Sequence, residues 1–243
     1  MLPVKINGIL FRKIRFQESS LIVNAITEKG TLRSLLFKGA LRRNTKLSNE
    51  LLPFAVLKFT YYPKGSKNIY IASQVELVED FEFIRESGYY VQVEIAKLVK
   101  NATRLLTSDS ENPEIYSVIV EMLRKWREHE NVNLHLLKAG FMLKILTFSG
   151  FRPTISTCAN CGASISESKQ IFFSPSAGGF VCDACPPPSD SFSSNFKDSL
   201  VMGKLLSQSF DRYIEIVVRN PKRIHEFVER FWMYHVSEKF DIQ

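Results

Sequence analysis

The four cysteines of this chain fall into two pairs with the same spacing. Cys158 and Cys161 form the first C-x-x-C, Cys182 and Cys185 form the second, and twenty residues separate the pairs. A C-x-x-C turn brings two thiolates to one side of a metal ion, and two such turns complete a tetrahedral shell of four sulfurs. We therefore predict one structural Zn²⁺ per chain, with no open coordination position for catalysis.

Disulfides and iron are the alternative uses of these cysteines. The N-terminus lacks the basic start and apolar centre of a secretory signal, and no apolar run approaches the roughly 20 residues that span a bilayer. We therefore expect a cytoplasmic chain with no membrane association, whose thiols stay reduced, and this disfavours disulfides. A rubredoxin-like iron site would use the same four thiolates. Zinc is favoured because the sequence carries no further cofactor motif.

Basic residues are concentrated in the first third of the chain. Residues 1–80 contain 13 Lys and Arg against 6 Asp and Glu, whereas residues 81–243 contain 19 of each. Residues 29–48 include no acidic residue at all. This asymmetry predicts binding to nucleic acid or another polyanion, although a charge run is more often a solvated face. The predicted DNA contacts are Lys13, Arg15, Arg33, Lys38, Arg42, Arg43 and Lys46.

Catalytic motifs are missing from the sequence. It has no G-x-x-x-x-G-K-[ST] phosphate loop, no G-x-G-x-x-G and no H-E-x-x-H. Grouped carboxylates could bind Mg²⁺ in a nuclease, but the group present here falls at a predicted domain junction, where a solvated linker is expected; it comprises Glu76, Glu79, Asp80 and Glu82. We therefore predict a protein that is not an enzyme, and keep the nuclease as a rival.

The elements that would position the basic residues are β-strands. Five strands are predicted at residues 4–16, 20–28, 31–38, 53–62 and 69–78, because apolar and polar residues alternate there and turn residues separate them. In the first strand Ile14 and Phe16 alternate with Lys13 and Arg15, as expected of one buried face. Five short strands favour a small OB-fold barrel, with an SH3-like barrel as the alternative. Exposed aromatic residues such as Tyr62 could stack on bases.

The rest of the chain has the period of helices. Helices are predicted from about residue 87, from Asn112-Pro113 to about residue 127, at 134–148 with a stop at Gly150, near 196–209, and from Asn220-Pro221 onward. Between the cysteine pairs, residues 170–173 and 179–181 predict the hairpin of a zinc ribbon. The predicted fold is α+β: a five-stranded OB-fold at residues 1–80, then a helical domain at 81–243 with the ribbon inserted at about 155–188.

Four segments together resemble the bacterial RecO family of recombination mediators. They are residues 27–33 (TEKGTLR), 37–43 (FKGALRR), 146–153 (LTFSGFRP) leading into the first cysteine pair, and 173–182 (FSPSAGGFVC). C-x-x-C pairs alone occur in many unrelated zinc ribbons. The resemblance is specific because these pairs follow a basic barrel and lie inside a helical body.

The resemblance implies a role in recombinational DNA repair without bond breakage. A family member is expected to bind single- and double-stranded DNA, to anneal complementary strands, and to work at the nucleoid. It would cooperate with RecR in loading RecA onto DNA coated with single-strand-binding protein, and would bind the C-terminal tail of that protein. The four cysteines are implied as metal ligands and the basic barrel positions as DNA contacts. An RNA-binding or ribosome-associated zinc-ribbon protein is the competing reading.

Overall fold

This computed structural model describes residues 2–66, 69–127 and 133–237. The chain divides into two compact units, Met1–Leu123 and Arg124–Gln243. The first unit contains the barrel together with helical segments that follow it in sequence. The division predicted at residues 80 and 81 stays a prediction.

The first unit is built on a closed five-stranded barrel. The strands hydrogen-bond in the order β1-β2-β3-β5-β4, and β4 pairs back with β1. β3 and β5 run parallel, whereas the other four pairs are antiparallel. This order confirms the predicted OB-fold over an SH3-like barrel. The strands are β1 (Val4–Phe16), β2 (Ser20–Thr27), β3 (Leu32–Phe37), β4 (Val56–Ser66) and β5 (Ile69–Glu79), and a short helix, α1 (Leu47–Glu50), lies between β3 and β4.

A bulge in β1 shifts the register of its second half against β2. The shift lies between Leu10 and Arg12. Phe16, expected on the buried face, is 38% exposed. Lys13 lies opposite the buried Val23. The strand itself is confirmed. Beyond the bulge Ile14 is half-buried and Lys13 and Arg15 are exposed, so only Phe16 departs from the predicted burial.

The helices follow the predicted positions, and α1 and two further short helical segments are additions to them. The short α2 and a 3-10 helix at Phe210–Glu215 have too few residues to show a helical period. The α-helices of the described residues that follow the barrel are α2 (Glu82–Glu86), α3 (Tyr89–Thr103), α4 (Pro113–Trp126), α5 (Leu134–Phe148), α6 (Phe196–Ser207) and α7 (Pro221–Ser237). No helix within the described ranges has both the length and the apolar character needed to cross a membrane.

Helix α5 is the central element of the second unit, as its apolar sequence predicts. It is buried along most of its length, and α6 and α7 both pack against it. Its N-terminus is capped by Asn133, whose side chain accepts hydrogen bonds from two backbone N–H groups. It ends at Phe148, and Gly150, two residues further on, has a φ of +88°. The N–H of Phe151 then donates to the carbonyl of Leu146 at 2.8 Å, which satisfies an otherwise unpaired helix carbonyl.

The ribbon is a three-stranded sheet in the order β7-β6-β8. Its strands are β6 (Ile171–Ser174), β7 (Gly179–Cys182) and β8 (Phe192–Ser194). The predicted hairpin of β6 and β7 is confirmed. β8 has only three residues, too few for an alternation to be seen in the sequence. Asp190 fixes the hairpin turn, because its carboxylate accepts hydrogen bonds from the Ser174 hydroxyl and from the backbone and hydroxyl of Ser176.

Candidate metal centre and nucleic-acid interface

The four predicted cysteine ligands come together at one point of the ribbon. Their sulfur atoms all lie within 4.8 Å of one another. The Sγ atoms of Cys158 and Cys185 are 3.9 Å apart, and those of Cys161 and Cys182 are 3.7 Å apart. Sulfurs bound to zinc at about 2.3 Å in a tetrahedron are about 3.8 Å apart, whereas a disulfide requires about 2.05 Å. The arrangement therefore fits one tetrahedral metal ion.

Backbone hydrogen bonds hold the first cysteine pair against the hairpin. Ala159 donates its N–H to the carbonyl of Phe180 on β7 at 2.7 Å. Gly162 donates to the carbonyl of Cys158 at 2.9 Å and has a φ of +75°, which closes the turn after the second thiol. Cys182 ends β7 and points its N–H at the sulfur of Cys158, at 3.4 Å. The hairpin therefore carries Cys182 at the end of β7 and holds the first cysteine pair in place through hydrogen bonds of its backbone.

The thiols at this point have pKa values displaced in opposite directions. Burial alone would raise the pKa of Cys158, but hydrogen bonds from the backbone of Cys182, Cys161 and Asn160 and from the thiol of Cys161 together lower this pKa to about 6. Hydrogen bonds to the sulfurs of Cys161 and Cys182 raise the pKa of Cys185 to about 12. The cluster therefore favours a thiolate at one sulfur and a retained proton at another, and a cation would displace such protons on binding.

The carboxylates that suggested a nuclease are engaged elsewhere. Asp80 makes two hydrogen bonds with the guanidinium of Arg85, at 2.7 and 2.8 Å. Glu76 pairs with Lys58 at 3.6 Å. Within residues 2–66, 69–127 and 133–237, the four cysteines are the only group of three or more His, Cys, Asp or Glu side chains that could hold a metal ion. The arrangement gives no support to the nuclease reading.

The acid-free segment forms a loop whose apolar residues attach it to the barrel. We call residues 38–46 the cationic loop. Ala40 is buried and Leu41 packs against the barrel core. The N–H of Leu41 donates to the carbonyl of Ser19 at 2.8 Å. The cationic residues of the loop remain exposed, and no ion pair is recorded for them in the described part of the chain; they are Lys38, Arg42, Arg43 and Lys46.

The remaining predicted DNA contacts have different surroundings. Arg15 is exposed on β1. Lys13 donates from Nζ to the carbonyl of Ser48 at 3.0 Å, and burial lowers its pKa. Arg33 is half-buried, and its Nη1 donates to the carbonyls of Leu32 at 2.9 Å and Ser108 at 2.7 Å. These two cations therefore hold parts of the first unit together, in contrast to those of the loop. Tyr62, the predicted stacking residue, is 38% exposed.

Sequence reasoning did not identify the residues that line a groove on the second unit. Two adjoining cavities, of about 510 and 600 Å³, share Lys197, Val201 and Val217 as lining residues. Val217 is 93% exposed and Leu200 is 50% exposed. The only signal in the sequence is a pair of valines followed by Arg219 outside any helical period. The groove therefore combines apolar walls with cationic edges.

This protein belongs to the class that combines two parts. One is a closed OB-fold barrel with exposed cations, and the other is a four-cysteine ribbon set among helices. Two family models match this chain: "Recombination protein O N terminal" over residues 1–81 and "Recombination protein O C terminal" over residues 97–241. The chain belongs to the recombination protein O family, RecO.

Curated relatives of the chain are bacterial proteins named DNA repair protein RecO. The protein of Rubrobacter xylanophilus is 27% identical over 187 residues, which cover 76% of this chain and 73% of the relative. The protein of Alkaliphilus metalliredigens is 24% identical over 240 residues, which cover 96% and 94% of the two chains. The similarity thus extends over both the barrel and the helical body.

Proposed function

We propose that this chain is a DNA-binding recombination mediator in DNA repair. It binds and anneals DNA strands and, together with RecR, helps to load RecA onto DNA coated with single-strand-binding protein, without catalysing bond breakage. The observation that carries this proposal is the cationic loop, attached by apolar residues to an OB-fold barrel in a chain of the RecO family. The cytoplasm, at the nucleoid, is the expected place of action.

The loop suits a phosphate-binding role because its charges are already in water. Arg42 and Arg43 can reach phosphates without first breaking an internal ion pair. Each phosphate contact releases a condensed counterion and gives affinity without sequence preference. Lysines and arginines that screen phosphates on two strands also lower the repulsion that opposes annealing. No nucleotide hydrolysis is needed for this step.

The seven predicted DNA contacts divide into two groups in this proposal. Arg15, Lys38, Arg42, Arg43 and Lys46 contact phosphates directly, because they are exposed. Lys13 supports the polypeptide next to the loop through the carbonyl of Ser48, and Arg33 is held near the start of β3 by the carbonyl of Ser108. Double-stranded DNA binds through the same phosphate contacts, since these do not read bases.

The metal in this proposal is Zn²⁺ with a structural role. Four thiolates would fill its tetrahedral shell, so neither water nor substrate could coordinate it. The bound ion would join the first cysteine pair to the end of β7 and thereby stabilise the ribbon. Elemental analysis of the purified protein distinguishes zinc from iron, and a chain that contains neither metal would contradict the assignment.

The tail of single-strand-binding protein is proposed to occupy the groove of the second unit. That tail is acidic and ends in apolar residues, and the groove offers exposed Val217 and Leu200 beside Lys197 and Lys204. Calorimetric titration of the full chain with a tail peptide should show binding that Val217→Glu abolishes. Met233→Glu, at another exposed apolar position of the same unit, is the control. Equal binding by both variants would place the tail elsewhere.

An annealing assay tests the proposed function as a whole. Two complementary strands are coated with single-strand-binding protein, and their pairing is followed with and without the chain. Acceleration of pairing with no cleaved product in the presence of Mg²⁺ is expected. A preference for structured RNA over DNA would favour the ribosome-associated reading, and Mg²⁺-dependent cutting would favour a nuclease.

A further inference from the structure

A segment that we call the strap, residues 104–112 between α3 and α4, lies against the turn that joins β2 to β3. Leu32 donates its N–H to the carbonyl of Thr107 at 3.2 Å, and Asn112 donates to the carbonyl of Lys29 at 2.9 Å. The fit at Gly30 is so close that a Cβ there would lie 1.7 Å from the carbonyl oxygen of Asn112. The strap is therefore fixed to the barrel by the backbone itself.

A pocket of about 300 Å³ opens between the strap and two barrel strands. Its walls are residues 32–34 of β3, Tyr70 of β5 and residues 106–108 of the strap. The guanidinium carbon of Arg33 lies 5.8 Å from the centre of the Tyr70 ring. Tyr61 packs at an angle against the same ring, with the ring centres 5.3 Å apart. Because Arg33 is also held by two carbonyls, both planar groups are fixed before any ligand arrives.

The charges around this pocket favour a base over a phosphate. The strap carries Arg104 at its start and Asp109 and Glu111 after the lining residues 106–108, all three exposed. Glu111 pairs with Lys29 at 2.9 Å, and the hydrogen bond and charge of Glu111 raise the pKa of Lys29. The only charged side chain among the described lining residues is Arg33, whose Nη1 already donates to two backbone carbonyls, and the carboxylates next to the pocket would repel a phosphate. An uncharged planar base would meet instead the flat guanidinium of Arg33, the Tyr70 ring and the apolar Leu106.

We propose that this pocket takes one nucleobase from a single strand bound to the barrel. Its volume lies at the lower end of the range for small-ligand sites, so it admits a single base rather than a length of strand. Proteins hold unstacked bases on aromatic rings and on arginine planes, and both groups are present here. The inference rests on the proposed DNA binding of the barrel and adds a contact that depends on the base.

Removal of bases provides the test. Affinity of the full chain is measured by fluorescence anisotropy for an oligothymidine of about 16 nucleotides, within the site sizes known for OB-folds, and for an abasic strand with the same number of phosphates. Stacking of one base contributes on the order of 1–3 kcal/mol, so the wild type should prefer the strand with bases by about fivefold to 150-fold.

Filling the pocket should remove most of that preference. Ser108→Trp places a large side chain at an exposed strap position that lines the pocket, and Ser110→Trp makes the same change at an exposed strap position outside it. Tyr70→Leu removes the ring, but it also affects the barrel core, so thermal unfolding is recorded for all three variants. The preference should fall severalfold with Ser108→Trp and stay at the wild-type value with Ser110→Trp.

The possible outcomes separate this inference from the proposed function. If Ser108→Trp and Tyr70→Leu both keep the wild-type preference for bases, the pocket is not a base site, although the barrel still binds DNA. If the wild type binds neither strand in a salt-dependent way, the proposed DNA binding itself is wrong. If Ser108→Trp loses the preference for bases and Ser110→Trp keeps it, the result supports the pocket as the base site.

Discussion

The four-cysteine ribbon and the cationic loop present their chemical groups in opposite ways. In the ribbon, the four sulfurs converge to within 4.8 Å of one another, and Cys158 and Cys182 are buried. In the loop, apolar residues are buried and the cations diverge into solvent. Converging donors suit a small cation that they surround completely, whereas diverging cations suit a long polyanion that lies across them. The ribbon should therefore affect stability, and the loop should affect binding.

The largest effect on stability is expected when one of the four converging thiols of the ribbon is removed. Cys158→Ala or Cys182→Ala should lose the metal and lower the free energy of unfolding of the second unit by more than about 4 kcal/mol, because loss of a metal site is among the most destabilising single changes. Metal content and thermal unfolding of the purified variants measure this. Ser164→Ala, at an exposed position between the cysteine pairs, is the control. Metal-free variants as stable as the wild type would contradict the structural role.

The close contact between the strap and the barrel should give the next largest effect. Gly30 and Gly150 both have positive φ, +68° and +88°. A Cβ at Gly30 would collide with Asn112, whereas a Cβ at Gly150 would meet nothing within 4 Å. Gly150→Ala should cost about 1 kcal/mol from backbone strain alone. Gly30→Ala should cost about 2 kcal/mol more, because well-packed backbone must move.

Chemical denaturation of the two glycine variants measures this difference. Equal losses of unfolding free energy would mean that the strap moves aside without cost. In that case it would not form a fixed wall of the pocket, and the pre-organised base site would lose its support.

The loop should show its effect in the dependence of DNA binding on salt. Changing both Arg42 and Arg43 to Ala should lower the slope of log affinity against log salt by about 1.4 on single strands, since each phosphate contact contributes roughly 0.7. The loss should be the same for every sequence, because phosphate contacts carry no base information. Affinities at several salt concentrations measure the slope. Metal content and unfolding should stay at wild-type values, and an unchanged slope would leave the loop as a solvated face.

The smallest effect is expected at the ion pair between Lys29 and Glu111. Both side chains are more than half exposed, at 57% and 58%, and exposed pairs contribute only about 0.2–1 kcal/mol. Glu111→Gln should therefore change the free energy of unfolding by less than about 1 kcal/mol and should slightly strengthen DNA binding at low salt by freeing Lys29. Denaturation curves and low-salt affinities check both. A large loss of stability would show that the strap is held by this pair rather than by the backbone.

The sequence alone determined the barrel strands, the longer helices and the clustering of the four cysteines. Each strand of the barrel has an alternation that is visible locally, and the strands lie where the pattern predicts them. The four cysteines were identifiable because C-x-x-C spacing is itself a local geometry that a metal requires. Likewise, proline near the start of α4 and α7 and glycine after α5 mark helix ends by backbone chemistry that does not depend on the rest of the fold.

Only the tertiary structure decided which cationic side chains are available to a ligand and which residues lie around them. Lys13, Arg33 and Arg42 are equivalent in a count of charges, yet two of them donate to backbone carbonyls that lie 35 and 75 residues away in sequence. The bulge in β1 shifted the register of its second half against β2, and a one-residue shift of this kind leaves no unambiguous mark in an alternating pattern. The strap pocket likewise joins β3, β5 and residues 106–108. Such partners are chosen by packing between distant segments, which local periodicity does not encode.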